Sequence, residues 1–257
     1  MEKVNAEKSW VSKTLLRIML IVWGGLICIG ILFYQIAIVA IIVGFLLSCI
    51  SFLILYFLYA YYQLSPQGGD LQGRVSALVT GRIDEKSEGY LLDIGCGSGV
   101  LSVELALKCP GLQIQGIDYW GSIWGYSKEK CEQLAKVYSV TERVCFKQAS
   151  ASALPFDDEV FDIVISNMVF HEVADAEDKR DVIKEALRVL KKGGRFVFQD
   201  LLLSKKLYGK PDDLVRYMED LGVEDVSFVK TNEQLTIPPL LNTSMFFGNT
   251  AMLLGQK

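Results

Sequence analysis

No charged residue occurs between Arg17 and Asp70, and most of that stretch is Ile, Leu, Val, Phe, Tyr and Trp. A helix rises about 1.5 Å per residue and the hydrocarbon core of a bilayer is roughly 30 Å thick, so about 45 apolar residues suffice for two crossings. The length predicts two transmembrane helices, at 14–33 and 36–59, turning near Tyr34–Gln35, the most polar point of the interior. A cleavable signal peptide needs an apolar core of only about 7–15 residues, much shorter than this run. Lys3, Lys8 and Lys13 precede the first span and Arg17 lies in its first turn, and the excess of Lys and Arg on cytoplasmic flanks places that end inside. Two spans return the rest of the chain to the same side. The expectation is a multi-pass protein of the cell membrane whose N-terminus and larger C-terminal part are both cytoplasmic. In the second span Ala40, Gly44 and Ser48 recur every four residues. Such a small-residue stripe lets helices approach closely, either on the first span through Gly24 and Cys28 or in a homodimer.

After the spans, "QLSPQGGDLQG" interrupts the helical pattern with Pro66, Gly68, Gly69 and Gly73. This divides the chain into a membrane anchor over 1–63 and a second domain over 64–257. In the second part strands at 89–94, 112–117, 143–148, 161–166 and 194–200 alternate with helices at 98–108, 125–137 and 177–190. That alternation predicts an α/β fold, a parallel sheet with helices on both faces. A helix at 211–221 and strands at 223–230 and 250–255 follow.

The first strand runs into "LLDIGCGSGV", with glycines at 95, 97 and 99. A dinucleotide fingerprint needs glycines at offsets 0, 2 and 5, and offset 5 from Gly95 is Val100. The Lys and Ser/Thr of a P-loop are missing too, and Asp93 stands just before the loop. The spacing argues against a phosphate cradle and for a ligand with an amino group. The second strand, "LQIQGIDYW", ends in Asp118, about 20 residues on, where a ribose-binding acid belongs. Two acids and a glycine turn describe an adenosine site.

With "ALPFDDEVFDIVISNMVFHEV" and "EALRVLKKGGRFVFQD", these residues resemble the class I S-adenosylmethionine-dependent methyltransferases, and most closely the group that includes ubiquinone and menaquinone methyltransferases. The likeness runs from about Gly69 to the C-terminus, with "DYWGSIWGYSKEKCE" more typical of poorly characterised bacterial members. It implies a Rossmann-like, seven-stranded, mostly parallel sheet whose last two strands form an antiparallel pair, and S-adenosyl-L-methionine as cofactor. Asp93 and the loop Gly95, Cys96, Gly97 and Gly99 are then expected to hold the methionine portion, and Asp118 the ribose hydroxyls. Tyr119 and Trp120 either wall the adenosine or pack beneath the loop. Between the third strand and its helix the family usually has an acid that reads the adenine amino group, and this chain has Ser150 there. A serine hydroxyl makes a weaker, uncharged contact, so adenine recognition falls to Ser150 and the Ala151 backbone.

"NMVFHEV" follows the fourth strand at the carboxyl edge, where open α/β sheets bind ligands. Asn167, His171 and Glu172 are therefore expected to face the acceptor, with Asn167 also near the donor. His171 can act as a general base or fix the loop by hydrogen bonds, and proximity is favoured over proton abstraction. A membrane-anchored enzyme of this kind would act on a small or lipid-soluble acceptor. The rivals are a catalytically silent donor-binding protein, a sensor or assembly factor, and aminopropyl transfer, whose acidic amine-binding motifs are not evident.

Six cysteines without a C-x-x-C pair and a single histidine argue against a metal site. A net charge of -4 without a basic cluster argues against a nucleic-acid substrate. "KKGG" at 191–194 reads as a basic helix end with a glycine stop, "FDDEVFD" as a solvated turn and "EDKR" as a charged first helical turn. The apolar clusters 237–241 and 245–247 suit either a lid or core packing.

Overall fold

The computed structural model describes residues 11–121, 125–244 and 246–257. Lys3 and Lys8 of the basic flank, Met245 and part of "DYWGSIWGYSKEKCE" lie outside the described residues. The chain forms two compact units that divide between Gly73 and Arg74.

In the first unit, α1 (Lys13–Leu32) opens at Ser12, whose side chain accepts from the Leu15 amide, and α2 (Ala37–Leu64) follows after a short turn. By length and composition each can cross a membrane. The second helix continues past residue 59 because nothing in "AYYQL" breaks it, and Ser65 ends it by donating its hydroxyl to the Tyr62 carbonyl at 2.9 Å. The helices meet where Trp23 Nε1 donates to Ser51 Oγ at 2.9 Å and where a Cβ on Gly30 would stand 3.2 Å from Val43. A large side chain thus faces a small one at each level. The Ala40, Gly44 and Ser48 stripe does not form this seam, which corrects the first of its two expected uses, packing on the first span. All three are exposed, and a Cβ added at Gly24 or Gly44 would meet nothing within 4 Å.

The second unit is built on a seven-stranded sheet. Its strands are β1 (Gly89–Ile94), β2 (Leu112–Asp118), β3 (Val144–Gln148), β4 (Phe161–Asn167), β5 (Leu190–Asp200), β6 (Glu224–Lys230) and β7 (Ala251–Gln256), in the order β3-β2-β1-β4-β5-β7-β6. The first five pair in parallel, and β7 runs antiparallel between β5 and β6. This is the Rossmann-like sheet with a closing antiparallel pair that the alternation and the resemblance imply. The order reverses between β1 and β4, and ligands of open α/β sheets bind at the carboxyl edge beside such a reversal.

Two apolar layers cover the sheet. On one face Leu92, Ile94, Val164, Phe196 and Phe198 pack under α6 (Lys179–Arg188) and α8 (Pro211–Asp220). On the other, Leu91, Ile163, Ile165 and Val197 pack under α4 (Val100–Lys108) and α5 (Lys128–Val137). Four elements were not foreseen: α3 (Leu71–Thr80), which begins at the end of the glycine-rich linker, the single turns α7 (Lys205–Tyr208) and α9 (Thr231–Gln234), and a 3-10 turn (Phe170–Glu172).

Two local readings are corrected. "KKGG" lies inside β5, not at a helix end: α6 stops at Arg188, and Gly193 (φ 75°) donates its amide to the Lys257 carbonyl at 2.5 Å while the β4 register slips past. Pairing with a distant segment overrides the local helix-stop cue. "FDDEVFD" is more than a solvated turn. Asp162 accepts from the Tyr90 amide at 2.8 Å and pairs with Lys191 at 2.7 Å, tying the start of β1 to β5. In the 237–247 connection Ile237, Leu241 and Phe247 are buried, while Pro239, Leu240, Asn242, Thr243 and Ser244 are exposed. Three apolar anchors of this segment pack as core.

Candidate active site

The turn from β1 into α4 is closed by three glycines in left-handed conformation, Gly95 (φ 73°), Gly97 (φ 55°) and Gly99 (φ 77°). A Cβ at Gly95 would run into the Val169 side chain on the β4 segment, and one at Gly99 would press on Phe146 and Cys131. Only glycine lets the backbone lie so close while opening the helix.

Asp118, at the end of β2, braces this loop. Its Oδ2 accepts from the Gly97 amide at 2.8 Å and its Oδ1 from the Trp120 amide at 2.7 Å. Each oxygen retains lone-pair capacity for a further donor. Trp120, itself at φ 48°, donates its indole N–H to the Gly97 carbonyl at 2.9 Å, so it packs against the loop, whereas Tyr119 is 70% exposed. Asp93 lies beneath, 1% exposed, accepting from Ser102 Oγ at 2.6 Å. Burial pushes its carboxyl up to about 7, against the Ser102 hydrogen bond and with help from the Asp118 charge. Cys96 is buried, and burial drives its thiol well above its ordinary range. Its contribution to the loop is therefore its backbone.

At the end of β3 the Ala149 amide donates to the Asp118 carbonyl at 3.0 Å, so the two strand ends are bound side by side. Ser150 and Ser152 both donate to Asp175 Oδ2, at 2.8 and 2.6 Å, and Ala151 is buried.

On the other side of the loop, β4 ends in Asn167, whose Nδ2 donates to Ser76 Oγ at 3.0 Å while its buried Oδ1 has no partner. Met168 at φ 60° then turns the chain sharply. His171, in a short 3-10 turn, sets Nδ1 at 2.8 Å from Asp200 Oδ1 and Nε2 at 3.5 Å from Glu172. Asp200, 1% exposed at its side chain, also accepts from the Val169 amide at 2.9 Å and the Leu201 amide at 2.6 Å. Burial alone pushes the His171 imidazole down, but Asp200 outweighs it and raises the group to about 10, with Glu172 adding to the rise. His171 is therefore a cation at neutral pH. Among the described residues no group of three or more His, Cys, Asp or Glu side chains is placed to hold a metal ion.

Residues 92–198 match a family model described as a methyltransferase domain. The chain is 32% identical over 160 residues to 27-O-demethylrifamycin SV methyltransferase of Amycolatopsis mediterranei, covering 62% of this chain and 56% of that protein. It is 33% identical over 130 residues to the demethylmenaquinone methyltransferase of Thermus thermophilus, covering 51% and 54%. It thus spans about half the length of these curated relatives. The geranyl diphosphate C-methyltransferase of Streptomyces coelicolor, solved with S-adenosyl-L-homocysteine, shares the fold, with a TM-score of 0.54 at 13% identity over 73% of this chain and 80% of that one.

Residues 92–198 form a class I S-adenosylmethionine-dependent methyltransferase domain. Within it, the glycine loop, Asp93, Asp118, Ser150 and the Asn167–Glu172 segment all stand at the carboxyl ends of β1 to β4. The fit to the donor rests on the close-packed glycine turn and the spare acceptor capacity of Asp118. Tyr119 follows Asp118 at the end of β2 with its side chain exposed and its carbonyl accepting from Gln148 Nε2 at 2.9 Å. Sequence reasoning missed Ser102, Asp175 and Asp200. The last was visible as an acid closing the apolar strand "RFVFQD", at the same edge as Asp118.

Proposed function

We propose that this chain transfers a methyl group from S-adenosylmethionine to a small, lipid-soluble acceptor at the cytoplasmic face of a membrane. The observation that supports this most is a methyltransferase site on the same polypeptide as two helices able to cross a bilayer. The basic residues before α1 favour the cytoplasmic side, and the relatives named above are named for small-molecule acceptors.

The donor brings a methyl group already activated on a sulfonium, so the protein's task is orientation, worth several kcal/mol. Asp118 accepts the ribose hydroxyls. The backbone of Gly95, Cys96, Gly97 and Gly99 lies along the methionine portion, and the amides opening α4 face its carboxylate, where the helix end carries partial positive charge. Asp93, with its raised pKa, becomes fully charged when the donor's ammonium approaches. Asn167, His171 and Glu172 face the acceptor. His171 already holds its proton, so it cannot take one from the acceptor at neutral pH. Instead it holds an acceptor oxygen in line and stabilises negative charge there.

Deletion of residues 1–64, which ends with α2, tests the membrane half of this reading. The truncated chain is expected to bind donor as the full chain does. It should lose activity on a long-chain acceptor in vesicles and keep it on a water-soluble short-chain analogue, because the hairpin concentrates enzyme and acceptor in one layer. Equal loss on both acceptors would make the hairpin a structural support.

A further inference from the structure

The Ala149–Asp118 hydrogen bond fixes the end of β3 beside Asp118, which makes it the neighbour of an adenine carried on a ribose at Asp118. Adenine presents an amino group there, and an amino group needs an acceptor. The polar side chains of the turn that follows β3, Ser150 and Ser152, both direct their protons to a single oxygen, Asp175 Oδ2. The charged acceptor at this corner therefore comes from elsewhere in the sequence, from the segment between the 3-10 turn and α6.

Resting on the donor reading above, we infer that Asp175 reads the adenine amino group of the donor, with Ser150 and Ser152 as positioning residues. Both serines use Oδ2, so neither occupies Oδ1, and Asp175 is an exposed residue. The segment is held firmly on either side. Val173 and Ala176 are buried in the same apolar cluster as Ala151 and Leu154. Lys179 Nζ donates to the Val173 carbonyl at 2.5 Å and to the Ala176 carbonyl at 2.8 Å, clamping both flanks of Asp175. The hydroxyls of Ser152 and Ser150 hold the carboxyl below its usual range, so it accepts as an anion, the stronger form of the hydrogen bond. A charged acceptor favours an amino group and repels a carbonyl oxygen in the same place, which gives the site a means to discriminate between purines.

Calorimetry of the full chain with S-adenosylhomocysteine and with S-inosylhomocysteine, which has a carbonyl in place of the amino group, tests this. The wild type is expected to prefer the adenosyl ligand by about tenfold or more, the scale of a hydrogen bond to a charged group. Asp175→Ala should reduce that preference to within about twofold by weakening the adenosyl ligand alone. Asp175→Asn, which can also donate, should bind the inosyl ligand better than the wild type does. An unchanged ratio in Asp175→Ala, or equal weakening of both ligands, would overturn the assignment, the latter by reducing Asp175 to a loop support. A wild type that binds neither ligand would instead overturn the donor reading beneath it.

Discussion

Asp200→Ala lowers the stability of the methyltransferase domain by about 3–5 kcal/mol, the scale on which removing one partner of a buried pair is felt. The carboxylate accepts from two backbone amides and lies 2.8 Å from His171, so its loss leaves Val169 and Leu201 without their acceptor and the imidazole without its counter-ion. The effect depends on pH in a fixed direction. An unfolded histidine loses its proton near about pH 6.5, whereas His171 holds its proton up to about 10. The folded state thus binds the extra proton between these values, so the pair's stabilisation is complete below about pH 6.5 and is lost as pH rises toward 10. Urea denaturation should show the gap between wild type and Asp200→Ala widest at about pH 6 and narrowing as pH rises into alkali. A gap that does not change with pH would mean that His171 is neutral when folded.

Asp118→Ala weakens binding of S-adenosylhomocysteine by about 2–3 kcal/mol, or about 30- to 150-fold. Two losses combine. The ribose hydroxyls lose a charged acceptor, and the Gly97 and Trp120 amides, now bound at 2.8 and 2.7 Å, lose the group that sets the loop. Calorimetry reads both together. Unchanged affinity would remove Asp118 from the donor site.

The donor half of the site was legible because it is local. Asp93, the glycine turn and Asp118 lie within one strand-turn-helix-strand unit, where the need for positive φ forces glycine and the strand end exposes the acid. The parallel sheet followed from the alternation of strands and helices in the same way. What escaped reading depends on distant pairing. Asp175 reaches the end of β3 from the loop beyond β4, and Asp200 meets His171 only because β4 and β5 are neighbours. "KKGG" misled for a related reason: charge and glycine mark a helix end locally, but β5 starts within it and the C-terminal residue closes on Gly193. The small-residue stripe of α2 is a motif whose partner face the sequence does not specify, and the helices meet through Trp23 and Gly30 instead.

Methyl transfer to a lipid-soluble acceptor is read by incubating the full chain in vesicles with S-adenosylmethionine labelled on its methyl group and a lipid extract. The expected result is label moving into the organic phase as a methylated small molecule, with S-adenosylhomocysteine released in equal amount. Donor binding without transfer to any component of the extract would contradict it and leave a donor-binding protein in place of an enzyme.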